Sequence, residues 1–197
     1  MPRVKHEHNK EFYHLKYKIC VSGAADTGHC TPGTLERAQE LGRLIAEHNM
    51  VLVTGATSGL PFWAAKGAKE AGGFVLGFSP AGSRVHHVRT YRLPIDYHDM
   101  IVYTGFDYAG RNLLLTRASD AVITMCGRTG TLNEFTIAFE DKKPQGILTG
   151  TGGIADMIPD ILERAHKKPT QIVYDSDPAR LLDKLVELIQ TEDKNRA

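Results

Sequence analysis

The sequence predicts a single α/β domain, doubly wound in the Rossmann-like manner around a mainly parallel sheet of about seven strands. Three observations carry that prediction. Short apolar runs alternate with helical patterns through nearly the whole length. Glycine-bearing turns follow several of those runs directly. At 197 residues the chain suits one core-forming domain, with no repeat or linker to divide it.

The first strand is Lys18-Ile19-Cys20-Val21, ending in Ser22-Gly23. A helix from about Gly33 to Asn49 places Leu35, Ala38, Leu41, Leu44 and Ile45 on one face. The second strand, Met50 to Val53, runs straight into Thr54-Gly55-Ala56-Thr57-Ser58-Gly59. A helix from about Pro61 to Ala71 has proline in its first turn and Gly72-Gly73 at its end. Phe74 to Phe78 is the third strand. Ser79 to Tyr97 has weak periodicity and reads as a long loop. Met100 to Tyr103 is the fourth strand, Gly110 to Ser119 a helix and Ala121 to Met125 the fifth strand. A helix over Gly130–Asp141 leads to Gly146-Ile147-Leu148. Ile154 to His166 is helical and Gln171 to Tyr174 is the last strand. Pro178 opens a final helix to about Gln190, apolar at Leu181, Leu182, Leu185, Leu188 and Ile189. The domain is thus expected over residues 17–190, with a flexible arm over 1–16 and a tail over 191–197.

Charge is nearly balanced, 24 basic against 23 acidic residues, which leaves no electrostatic case for nucleic-acid binding. No apolar run approaches a membrane span, and the polar start of the chain is not a signal peptide. A reducing, cytoplasmic setting follows. The odd number of cysteines, Cys20, Cys30 and Cys126, does not read as a disulfide framework. His86-His87, taken with His29 and Cys30, match no standard zinc spacing, so no metal is expected and the loop histidines read as solvated. Cys126 reads as a small buried residue.

The chemistry concentrates in Cys126-Gly127-Arg128-Thr129-Gly130-Thr131-Leu132-Asn133-Glu134, after the apolar run Ala121 to Met125. A buried strand, a glycine turn and a threonine-capped helix start form an anion site, because unpaired N–H groups and the helix dipole hold phosphate without a basic side chain. Glu134 lies near the first turn of that helix. Each of the turns at Gly23, at Gly55–Gly59 and at Gly127–Gly130 alone reads as chain reversal; together, at the carboxyl ends of strands, they favour a phosphate-bearing ligand. No Gly-Lys-Ser/Thr and no G-x-G-x-x-G is present, which disfavours NTP hydrolysis and ordinary NAD binding. Arg111 stands at the start of its helix, beside Asn112, where it opposes the local dipole unless an anion or Glu134 compensates. Arg117 and Asp120 read as structural charges.

Arg111-Asn112, Ala118-Ser119-Asp120-Ala121, Gly127, Gly130-Thr131 and Glu134 resemble the "lysine decarboxylase-like" proteins, best known through the Lonely Guy cytokinin riboside 5′-monophosphate phosphoribohydrolases. The resemblance spans about Lys18 to Tyr174. The family motif is Pro-Gly-Gly-x-Gly-Thr-x-x-Glu, preceded by an essential arginine. Val53 to Leu60 is similar to the family's Gly-Gly-Gly-x-x-Gly-Leu-Met turn, and the Arg-Asn pair resembles the bacterial branch that includes molybdenum-cofactor carriers. The chain departs from the motif at Cys126, at Arg128 and in the upstream triplet.

The resemblance implies a nucleotide-binding protein that hydrolyses the N-glycosidic bond of a nucleoside 5′-monophosphate, with Glu134 and Arg111 catalytic and no cofactor. It implies a phosphate and nucleotide site from Gly23, Gly55, Thr57, Ser58, Gly59, Asn112, Gly127, Arg128, Thr129, Gly130 and Thr131, and a homodimer. The altered motif also fits a non-catalytic carrier or sensor of a nucleotide or a phosphorylated pterin.

Overall fold

The computed structural model describes residues 15–196; residues 1–14 of the expected arm, and Ala197, lie outside them. Seven strands are present: β1 (Lys18–Gly23), β2 (Val51–Thr54), β3 (Phe74–Ser79), β4 (Met100–Tyr103), β5 (Ala121–Met125), β6 (Gln145–Leu148) and β7 (Ile172–Asp175). Six helices alternate with them: α1 (Thr34–Glu47), α2 (Leu60–Glu70), α3 (Asp107–Ala118), α4 (Thr129–Glu140), α5 (Gly153–Arg164) and α6 (Pro178–Arg196). All six pairings are parallel, in the order β4-β3-β2-β1-β5-β6-β7.

The period of two along the strands explains why helices must cover both faces. Ile19 and Val21 of β1 point to one side, where they join Leu41 and Ile45 of α1, Ala64 and Ala68 of α2, and Leu181 and Leu185 of α6. Cys20 between them points to the other side, toward Leu115 of α3 and Ala138 of α4. Beside that second cluster, Phe135 of α4 meets Ile147 of β6 and Ile158 of α5. Sequence order runs outward in both directions from β1 and β5, so the direction of winding reverses between these two strands. Their carboxyl ends flank the crevice where open parallel sheets hold ligands.

The elements differ from the sequence reading in three places. Asp107 opens α3, a turn before the expected Gly110, which moves Arg111 from the exposed first turn into the body of the helix. Helix α6 continues past Gln190 to Arg196. Within Ser79–Tyr97 the chain makes a π-type turn at His86–Thr90. His87, expected to be solvated, is fully buried: Nδ1 meets Ser79 Oγ at 2.8 Å and Nε2 meets the Pro94 carbonyl at 2.9 Å. One imidazole thereby ties both ends of a segment whose polarity had suggested only a loop. Among the described residues, no helix is long and apolar enough to cross a membrane.

Candidate functional site

Where β1 and β5 part, a cleft of about 400 Å³ opens between the turns that follow β1, β2 and β5 and the start of α3. It is lined by Gly23 after β1, Gly55 and Thr57 after β2, Arg111 and Asn112 of α3, and Arg128, Thr129, Gly130, Thr131 and Glu134 of the β5–α4 segment. Ten of the expected binding positions therefore converge on one space. Ser58, Gly59 and Gly127 are not among the lining residues. Ser58 Oγ donates to the Ala25 carbonyl, and Gly59 at φ 70° sits against the Ala24 and Ala25 carbonyls, where any Cβ would collide. Both shape the turn before α2. Gly127 at φ 88° lies against the Thr131 side chain, 2.4 Å from where a Cβ would stand, so this turn admits only glycine.

Glu134 is 7% exposed and accepts a hydrogen bond from Ser22 Oγ at the end of β1. Burial raises its pKa above the ordinary carboxylate value, while the Arg111 charge and the Ser22 hydroxyl draw it back down. Ser22 was not singled out from the sequence, although a hydroxyl at a strand's carboxyl end beside a glycine turn is a readable signal.

Arg111 is 5% exposed. Its guanidinium carbon lies 5.8 Å from the Tyr108 ring centroid, and Nε and Nη1 have no hydrogen-bond partner among the described residues. A buried cation with unmet donors costs several kcal/mol unless an acceptor arrives (about 1–3 kcal/mol per unmet group). Gly55 makes this placement possible. A Cβ there would stand 1.7 Å from Arg111 Nη1, so the missing side chain serves the arginine. Asn112 Nδ2 donates to Asn133 Oδ1 at 3.0 Å, and the Asn112 Oδ1 has no hydrogen-bond partner among the described residues.

The start of α4 also differs from expectation. Arg128, not a threonine, is the cap residue, and no side chain caps the helix. The first N–H groups at Thr129, Gly130 and Thr131 thus face the cleft without a side-chain acceptor, as an anion site requires. Arg128 turns to the rim: Nη2 pairs with Asp26 at 2.7 Å and Nε donates to His29 Nδ1 at 3.3 Å. It does not plug the cleft.

Cys126 and Cys30 are joined in a disulfide, contrary to the expectation drawn from an odd cysteine count. They stand 96 residues apart, on the loops that leave the adjacent strands β1 and β5 at the same end of the sheet. Only the strand order makes them neighbours. Cys20 is buried and free.

A family model described as the SLOG cluster4 family matches residues 16–182. The chain belongs to that family. This SLOG protein is 34% identical to an uncharacterized protein of Archaeoglobus fulgidus over 126 residues, 64% of this chain and 78% of the other. Its fold is similar to the molybdenum cofactor carrier protein of Chlamydomonas reinhardtii, with TM-score 0.71 and 28% identity over 89% of this chain and 99% of that one. It is also similar to the molybdenum cofactor binding protein of Rippkaea orientalis, with TM-score 0.69 and 30% identity over 91% and 98%.

Proposed function

We propose that the cleft binds a phosphorylated small molecule, a nucleotide or a molybdenum-cofactor-like pterin phosphate, and that the protein holds this ligand as a carrier or sensor. The observation that carries the reading is the buried, unpartnered Arg111 guanidinium facing the same cleft as the uncapped start of α4. The α4 amides suit the phosphate, Arg111 suits a second acceptor, and Asn112 Oδ1 suits a donor on the ring. The likeness to two molybdenum-cofactor proteins supports the same reading.

Turnover would place its chemical demand on Glu134. Hydrolysis of an N-glycosidic bond builds positive charge on the ribose, which an ionised carboxylate stabilises. Burial raises the Glu134 pKa while Arg111 and Ser22 draw it back down, and a carboxyl held in this way can serve as a hydrogen-bond partner or as a general acid. The phosphoribohydrolase reading stands second, favoured by the carboxylate and Arg111 sharing one cleft. In it the amides hold the 5′-phosphate, Glu134 ionises as the sugar cation forms, and Arg111 orients the base or the carboxylate.

Calorimetry with AMP, GMP, CMP, UMP and isolated molybdenum cofactor, alongside chromatography of released base, separates the two. Saturable binding without product is the expected result. Sustained base release that Glu134→Gln abolishes would establish the hydrolase instead, and no binding of any probe would remove both readings.

A homodimer belongs to the same proposal. Met100 and Val102 on the edge strand β4, with Phe106, Tyr108, Leu113 and Leu114 on and before α3, are exposed apolar side chains. Pairing through this face would bring the helix that carries Arg111 to the interface. Light scattering is expected to give twice the chain mass, and Leu114→Glu to return it to monomer.

A further inference from the structure

We propose that His29, Cys30 and Cys126 form a three-donor site for a soft divalent ion such as Zn2+ once the disulfide is reduced. The ligand atoms of these three residues all lie within 4.8 Å of one another. They come from two loops, the one between β1 and α1 and the one between β5 and α4, at the rim of the ligand cleft.

The donor chemistry fits, and one of the three separations already does. Two thiolates and an imidazole form a set that tetrahedral Zn2+ takes, with Zn–S near 2.3 Å and Zn–N near 2.0 Å. Those bond lengths place a sulfur and a nitrogen about 3.5 Å apart and two sulfurs about 3.8 Å apart. Cys126 Sγ and His29 Nε2 already stand 3.5 Å apart. The Cα atoms of the two cysteines are 5.7 Å apart, so rotation of the Cys30 side chain is enough to part the sulfurs. Three protein donors leave the fourth position for water or a solute.

Two departures from the family motif meet here. Cys126 stands where the motif has proline and supplies a donor. Arg128 stands where it has glycine and holds His29 through Nδ1, with its own charge balanced by Asp26. With Nδ1 accepting from Arg128, the ring proton sits on Nε2, which faces the Gly127 carbonyl at 3.3 Å. Metal binding through Nε2 moves that proton to Nδ1 and releases Arg128 Nε, while the pair with Asp26 persists. Arg128 therefore opposes the metal, and its removal should tighten binding.

The reaction balances with an external dithiol as reductant. Its thiolate attacks the half-buried Cys30 sulfur, and Cys126 leaves and takes a proton. The second reductant thiol then displaces Cys30, so the reductant departs as a disulfide carrying the two-electron oxidation. Both protein thiols lose their protons to solvent as Zn2+ binds.

The full chain, reduced with a dithiol and freed of it without air, is titrated with Zn2+ against a chromophoric chelator and, separately, with Co2+. One Zn2+ per chain and a thiolate-to-cobalt absorption band are expected, and neither in the oxidised chain. Cys30→Ser should lose both. His29→Ala keeps the disulfide and the fold, and should weaken binding by more than the roughly tenfold that even an outer-sphere partner contributes. Arg128→Ala should strengthen it. Reduced protein that binds no Zn2+ would overturn the proposal. So would binding that survives in Cys30→Ser, or an affinity unchanged in His29→Ala, since either shows that the three residues do not hold the ion together. Should Cys30→Ser fail to fold by circular dichroism, the His29→Ala comparison decides alone.

Discussion

The turns after β2 and β5 look alike in sequence, both glycine-bearing and both opening a helix, yet they do different work. After β5 the backbone itself faces the cleft: an uncapped helix start presents N–H groups, and Gly127 exists to let the turn close against Thr131. After β2 the glycine yields its space to a side chain from another element, the Arg111 guanidinium. One turn offers main-chain donors, and the other offers room for a charged donor. A glycine in a strand–helix turn thus has two physical uses, approach of a ligand to backbone and approach of a distant side chain to the same spot.

The strongest break in this contrast is Arg111→Met. It should cut ligand affinity by about 1.5–3 kcal/mol, roughly ten- to hundredfold, because a charged hydrogen-bond donor is lost. The unliganded protein should change little in melting temperature, because relief of the unmet guanidinium donors is offset by loss of the charge that buried Glu134 faces. Calorimetry and thermal unfolding read the two effects, and a parallel fall in both would show that Arg111 is structural.

Gly55→Ala should act in the same direction but less strongly. The atom it strikes is the tip of a flexible side chain, so stability should hardly change, while the displaced guanidinium costs affinity, about tenfold. Equal affinity in wild type and variant would detach the β2 turn from the site.

Glu134→Gln tests the electrostatics through pH. Below the ordinary glutamate value of 4.5, folded and unfolded chains both carry the proton and no penalty arises. Above it the unfolded chain loses its proton first, because the folded pKa is raised. Stability therefore falls as pH climbs from 4.5 through the folded value. The glutamine variant escapes that loss, so its melting temperature should gain on wild type as pH rises to neutrality. A gap that stays constant would show that burial does not govern Glu134.

The smallest effect is expected at Gly130→Ala in the β5 turn. No atom lies within 4 Å of the added Cβ, and alanine in a helical turn is worth about 0.4–1 kcal/mol over glycine. The variant should melt slightly higher and still lose some affinity, because the methyl group projects into the space that a ligand on the α4 amides needs.

Much of this molecule was legible from residue order. Apolar runs of strand length alternating with helical patterns carry the parallel sheet and both helix layers, since each periodicity reports the face that must leave water. The turn between β5 and α4 was legible because glycines stand directly between a buried apolar run and a helical pattern. What residue order hid was several of the particular contacts between distant segments. Arg111 was singled out for the site but set in the first turn of α3, which was started too late, and nothing local marks Gly55 as its counterpart. Cys30 and Cys126 read as unrelated, although their loops leave neighbouring strands. His87 read as solvated because its partners Ser79 and Pro94 become neighbours only when the segment folds back.

Local pattern alone, then, determined the layers, the strand count and the place of the glycine turn between β5 and α4, because each depends on contacts a few residues apart or on burial of a face. The reversal of strand order between β1 and β5 decided the rest: it set one arginine under a glycine, one carboxylate beside a serine, and two cysteines and a histidine at one rim. Those juxtapositions follow from how the sheet is wound, and winding is a property of the whole chain.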